Sequence, residues 1–241
     1  MRKKDVAAAT LLGTAAAAAL GFGVLADRVV DRKTCDLDER ARKKAKKRAK
    51  RARKRAAELS GPLGKWYVHV PLSLFAAGAL QRQGKTGGAL TIAGVSLGAA
   101  ALSRLLDRAV KHRAPPPGRQ EPWEQSFPSG HALETTAVAI AGGYVLVRED
   151  VAGPWIAAPL ALASAASGLG RLLLDRHWST ASLGGYLAGI ALGTACAGVY
   201  EATRRGAQDT RQPDRGRERV EAPREEPFRP GDGPLLPVRA R

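Results

Sequence analysis

Three stretches of this chain carry no charged residue: 6–26, 151–170 and 178–200. At about 1.5 Å per residue, each is long enough to cross the roughly 30 Å hydrocarbon layer of a membrane. Shorter apolar stretches lie at 66–80, 87–103 and 132–147, the last interrupted by Glu134. The charged residues gather in the connections and at the two ends. This alternation predicts an all-α integral membrane bundle of about six spans, a five-span core preceded by an N-terminal hydrophobic helix.

Four segments follow from the pattern. Residues 1–26 read as an N-terminal hydrophobic span or signal anchor. A cleaved secretory signal is the alternative, but cleavage would leave the basic residues behind it on the far side, against the positive-inside tendency. Residues 27–59 read as a basic juxtamembrane helix, 60–200 as the transmembrane domain, and 201–241 as a disordered charged tail poor in aromatic residues. Gly185, Gly189 and Gly193, and likewise Gly94 and Gly98, recur at four-residue spacing and predict faces where membrane helices approach closely. The mean hydropathy of −0.22 averages over these unlike regions and does not place the chain in water.

Charge is equally uneven. Twelve of the sixteen residues from Arg40 to Arg55 are Lys or Arg and the other four are Ala, leaving +5 of the net +17 for the rest of the chain. Ala41, Ala45, Ala49, Ala52 and Ala56 fall along one helical ridge. Residues 40–55 therefore predict a basic helix beside an anionic membrane surface, where each cation is worth about 1 kcal/mol before mutual repulsion. A solvated helix that only fixes topology is the competing reading. Nucleic acid is not expected as a partner, because no aromatic residue is interleaved for base stacking. Cys35 and Cys196 offer neither a disulfide framework nor a metal-ligand spacing.

The chemistry sits at the mouths of the apolar spans. Pro128-Ser129-Gly130-His131 precedes one span, and Gly170-Arg171 with His177 lies between two others. A Ser-Gly turn offers a hydroxyl and backbone N–H groups to phosphate oxygens. Arginine adds a planar fork of donors. One imidazole can attack phosphorus while a second gives its proton to the leaving oxygen. His69, near Pro71, reads as a helix-packing histidine. Glu134 reads either as an interfacial carboxylate or as a hydrogen-bond partner of the site.

These residues resemble the motifs of the type-2 phosphatidic acid phosphatase and vanadium haloperoxidase superfamily, in particular its membrane lipid phosphate phosphatases. The second family motif stands intact at 128–131. The third matches at Arg171 and His177, with Gly170 in place of its Ser and Ala181 in place of its Asp. The first is blurred at Lys111-His112-Arg113-Ala114-Pro115. The resemblance implies His177 as nucleophile and His131 as proton donor. It further implies Arg171, Ser129, Gly130 and Arg113 or Lys111 as phosphate-binding groups, with no metal or other cofactor required. The implied function is hydrolysis of a lipid phosphomonoester or diphosphate, of phosphatidate or polyprenyl type, through a phosphohistidine in a bacterial-type cell membrane. The alternative is a catalytically weakened or inactive member that binds lipid or a membrane partner, because the family's Asp orients the nucleophile. Restoring Asp at position 181 is therefore expected to raise activity. Asp175 is not expected to substitute.

Overall fold

The computed structural model describes residues 3–48, 51, 55, 58, 62–110 and 127–209. Its helices are α1 (Lys3–Val30), α2 (Cys35–Arg48), α3 (Trp66–Arg82), α4 (Thr86–Ala109), α5 (Gly130–Arg148), α6 (Ala157–Leu173) and α7 (Ser179–Asp209), with short 3-10 turns at Pro62–Gly64 and Pro154–Ile156. No strand occurs among the described residues. Segments Val6–Val30, Thr86–Ala109, Pro154–Leu173 and Ser179–Arg204 are long and apolar enough to cross a membrane. Helices α3 and α5 are shorter, at 17 and 19 residues.

Burial runs opposite to that of a water-soluble domain. Phe75, Leu90 and Leu162 are 79%, 69% and 71% exposed, whereas Ala99, Ala132, Ala137, Ser96 and Ser129 are fully buried. Where lipid is the solvent, large side chains gain nothing by turning inward, and small ones let helix backbones close together. Helix α5 occupies the interior, with Leu133, Ala137, Ala141 and Val145 buried at four-residue spacing. That placement explains how a short helix containing Glu134 sits at membrane depth.

Helix α7 lies backbone to backbone on α5. A Cβ added at Gly189 would stand 2.7 Å from the Leu133 carbonyl, one at Gly193 2.8 Å from the Ala137 carbonyl, and one at Gly185 against the Ser129 carbonyl. Only glycine permits such an approach. The stripe on α4 behaves differently: Cβ atoms at Gly94 and Gly98 would meet nothing within 4 Å, so the expectation of close packing there is not met.

Helix α1 runs antiparallel along α7. Leu12 packs at Gly198 and Leu187 at Gly21, and Phe22 stacks on Phe127 with centroids 5.8 Å apart. Two boundaries differ from expectation. The segment expected as a basic helix from residue 27 is divided: α1 continues to Val30, and a turn with Arg32 at φ 58° separates it from α2. The charged segment from 201 begins as helix, because Glu201 accepts hydrogen bonds from Arg148 at 2.9 and 3.0 Å and from Tyr144 at 2.9 Å. A carboxylate only 2% exposed needs such partners. Residues 210–241 lie outside the described residues.

Candidate active site

Ser129 has an extended backbone and Gly130 opens α5. The first intrahelical bond runs from the Leu133 N–H to the Ser129 carbonyl, so the N–H groups of residues 130–132 have no acceptor within the helix. Such a terminus favours an anion. A Cβ on Gly130 would fall 2.5 Å from the Ser103 hydroxyl, which explains glycine here. Arg171 is in the last turn of α6 and His177 in the connection 174–178 to α7. Both are buried.

Gly130, His131, Arg171 and His177 line one cavity of about 310 Å³. Ser129 is wholly buried beside it. Among the described residues its hydroxyl, and the Nε2 of His131, have no hydrogen-bond partner. A buried polar atom left in this way costs about 1–3 kcal/mol; His131 lines the cavity, whereas Ser129 lies behind its neighbours Pro128 and Gly130 and does not itself line it. Among the described residues no three of His, Cys, Asp and Glu come together as a metal-ligand set.

The same cavity is lined by Lys65, Trp66, Arg104, Asp107 and Glu134, residues to which the sequence reading gave no firm place in the site. Lys65 arrives because the 3-10 turn at 62–64 tucks under α5. Gly64 lies so close to His131 that a Cβ would stand 2.5 Å from its ring. Arg104 hydrogen-bonds the Ala100 carbonyl at 2.8 Å and lies over the Trp66 ring at 5.4 Å. It thus contributes a guanidinium to the cavity wall. Lys111 and Arg113, the expected first-motif cations, lie outside the described residues.

Glu134 is buried and anchored: one carboxylate oxygen meets Nε2 of His69 at 2.7 Å, while Nδ1 of His69 meets the Ser96 hydroxyl at 2.8 Å. His69 is thus a packing histidine whose two nitrogens both find partners, and Glu134 joins it to the cavity wall. A second cavity, about 750 Å³ and almost wholly apolar, lies between α5, α6 and α7 among Ile140, Leu160 and Ile190. It shares no lining residue with the first.

Around His177 the chain is gripped by α2. Asp38, 3% exposed, accepts hydrogen bonds from the Ser179 hydroxyl at 2.7 Å, the Thr180 N–H at 2.9 Å and the Thr180 hydroxyl at 2.8 Å. Arg42 donates to both oxygens of Asp175 at 2.7 and 2.9 Å, and Lys46 lies 2.8 Å from the same carboxylate. Burial alone would raise the Asp175 carboxyl, but the hydrogen bonds from Arg42 and Lys46 outweigh it and hold the group below the ordinary carboxylate range. Asp175 is therefore held by α2. Helix α6 ends at Leu173, and Asp175 itself sits at φ 59° in the turn that follows. The half-buried Ala41 and Ala45 face inward with Arg42, while Lys43, Lys44 and Lys47 are exposed. The basic helix has a protein-bound face as well as a free one.

Ala181 is 1% exposed in a cluster with Val29, Phe127 and Trp178.

Residues 90–205 match the family described as the PAP2 superfamily. Among solved structures, the first transmembrane PAP2-type phosphatidylglycerolphosphate phosphatase from Bacillus subtilis is similar, with a TM-score of 0.67 at 20% identity. The likeness covers 84% of this chain and 99% of that one, so the two share a fold. No curated protein matches the chain significantly.

Proposed function

With residues 90–205 identified as a PAP2 superfamily segment in a transmembrane helical fold, we propose that the chain hydrolyses a lipid phosphate through a phosphohistidine at His177. The observation that carries this reading is the convergence of His131, Arg171, His177 and the α5 N-terminus on one cavity. Phosphoryl transfer needs positioned positive charge around three equatorial oxygens. Arg171, the α5 N–H groups, the Ser129 hydroxyl, Lys65 and Arg104 are assigned that task, together with Lys111 or Arg113.

In the first step a nitrogen of neutral His177 attacks phosphorus. The N–P bond forms as the bond to the lipid oxygen breaks, and protonated His131 gives its proton to the departing oxygen. In the second step water attacks phosphorus, its proton passes to His131, and the N–P bond breaks to release inorganic phosphate. The residues lining the cavity stand at the ends of long apolar helices, which supports a phosphorylated lipid over a soluble ester.

Ala181 supports a second reading, a member weakened in catalysis that binds lipid phosphate without efficient turnover. Phosphate release by the purified protein decides between them, with phosphatidate, a polyprenyl diphosphate and phosphatidylglycerol phosphate as substrates. Activity that disappears in His177→Ala supports the enzyme. Binding of these lipids without release supports the second reading.

A further inference from the structure

The two polypeptide stretches flanking His177 are both held by one face of α2. Asp38, Arg42 and Lys46 recur at four-residue spacing, so they line one side of the helix. Arg42 and Lys46 take Asp175, two residues before His177; Asp38 takes Ser179 and Thr180, two and three residues after it. Arg42 also lies over the ring of Trp178, 5.9 Å from its centroid. The loop 174–178 is thereby fixed on both sides by an element distant in sequence, Arg42 reaching Asp175 across 133 residues and Asp38 reaching Thr180 across 142.

We propose that α2 is a positioning element for the nucleophile, with Asp38 and Arg42 setting where the His177 imidazole stands. This rests on the reading of His177 as nucleophile. Three features make the grip specific and not incidental packing. The Asp38 carboxylate is buried, and all three of its donors belong to the first turn of α7, where negative charge also complements the helix dipole. The Arg42–Asp175 contact is bidentate, which fixes angle as well as distance. Asp175 holds a left-handed backbone conformation at φ 59°, unusual for a residue other than glycine, and its side chain is the one that α2 captures. Displacing a reacting group by about 1 Å can cost about 10²-fold in rate, so a loop held at both ends has a direct consequence for turnover.

The test compares Asp38→Ala, Asp38→Glu and the pair Arg42→Gln with Lys46→Gln in the full-length protein. Lys44→Ala, on the exposed face, is the control. Thermal stability, kcat, KM and hydrogen exchange of residues 174–178 are read for each. We expect Asp38→Ala and the Arg42/Lys46 pair to lower kcat about 10- to 100-fold with KM within about threefold. Exchange of 174–178 should rise, and Asp38→Glu should recover part of both. If Asp38→Ala does not fold, the Arg42/Lys46 pair carries the test. A folded variant that loses only melting temperature, with kcat and loop exchange unchanged, would overturn the proposal. Should the wild-type protein release no phosphate, the catalytic reading fails separately. Loop exchange then still reports whether α2 holds the His177 segment, and exchange unchanged in every variant overturns the grip itself.

Discussion

The backbone N–H of Ser129 donates to the carbonyl oxygen of Ala181 at 2.9 Å. Two motifs some fifty residues apart are thus joined by main chain, independently of any side chain. The start of α5, which offers N–H groups to an anion, is tied to the first turn of α7, just after His177. The seam continues along the glycines of α7, so the distance between His131 and His177 is set by helix packing.

That packing gives the first prediction. A methyl group at Gly185 would collide with the Ser129 carbonyl, a backbone atom that cannot swing aside. Gly185→Ala is expected to destabilise by about 1–3 kcal/mol and to lower activity beyond the loss of folded protein. Gly94→Ala, which meets nothing within 4 Å, should leave melting temperature in detergent unchanged or slightly raised. Equal effects at the two positions would contradict the seam.

At position 181 the surrounding residues lead to a different expectation from the one the motif comparison gives. Asp38 and Ala181 line the same small cavity of about 10 Å³ with Thr180, leaving no room for a second carboxylate. Ala181→Asp by itself is expected to destabilise the protein without raising activity. Combining it with Asp38→Asn removes the like charge and should restore part of the stability. Melting curves of the single and double variants give the coupling. Simple additivity would show that the two positions do not interact.

Glu134 ties His69 to the cavity wall. Glu134→Ala leaves a buried imidazole nitrogen without its acceptor, a loss of about 1–3 kcal/mol, whereas Glu134→Gln keeps the shape and should cost less. Denaturation of the two variants in detergent is the check, and an alanine variant as stable as wild type would exclude the linkage.

The Asp175 cluster predicts a direction with pH. Its folded-state pKa lies below its unfolded value, so its stabilisation is fully present above about 3.9, the usual aspartate value. It is lost only as pH falls through the lower folded value. Protection of loop 174–178 from hydrogen exchange should therefore persist through mildly acidic pH and fail in strong acid. In Asp175→Asn protection should be weaker throughout and lose this acid dependence. Failure near neutrality in wild type would point to a histidine instead.

Sidedness follows from charge. Helix α2 contacts the loop that carries His177, so the basic residues and the site share one end of the bundle. Positive charge near membrane helices stays in the cytoplasm, and the site is expected to open there. A cysteine at Lys43, with Cys35 and Cys196 replaced, should resist a membrane-impermeant thiol reagent on intact cells. Ready labelling from outside would place the site on the opposite face.

The spans, the second and third motifs and the close glycine face of α7 were legible in the sequence. Each is a local pattern, a run of apolar residues or a short spacing along one helix, and local patterns survive without knowledge of neighbours. That α2 would hold the segment around His177 was not legible. Asp38 and Thr180 are 142 residues apart, and nothing near Asp38 marks it among the other charges of a basic segment. Lys65 and Arg104 entered the site for the same reason: a turn under α5 and the packing of α4 bring them there. Glu134, an ambiguous carboxylate in an apolar run, received its role only when His69 from another helix came within 2.7 Å. Sequence determined which segments are long and apolar and which residues are candidates for phosphate chemistry. Tertiary packing decided which charges face one another, because in a membrane bundle small residues mark close contact but do not say which helix will supply the partner.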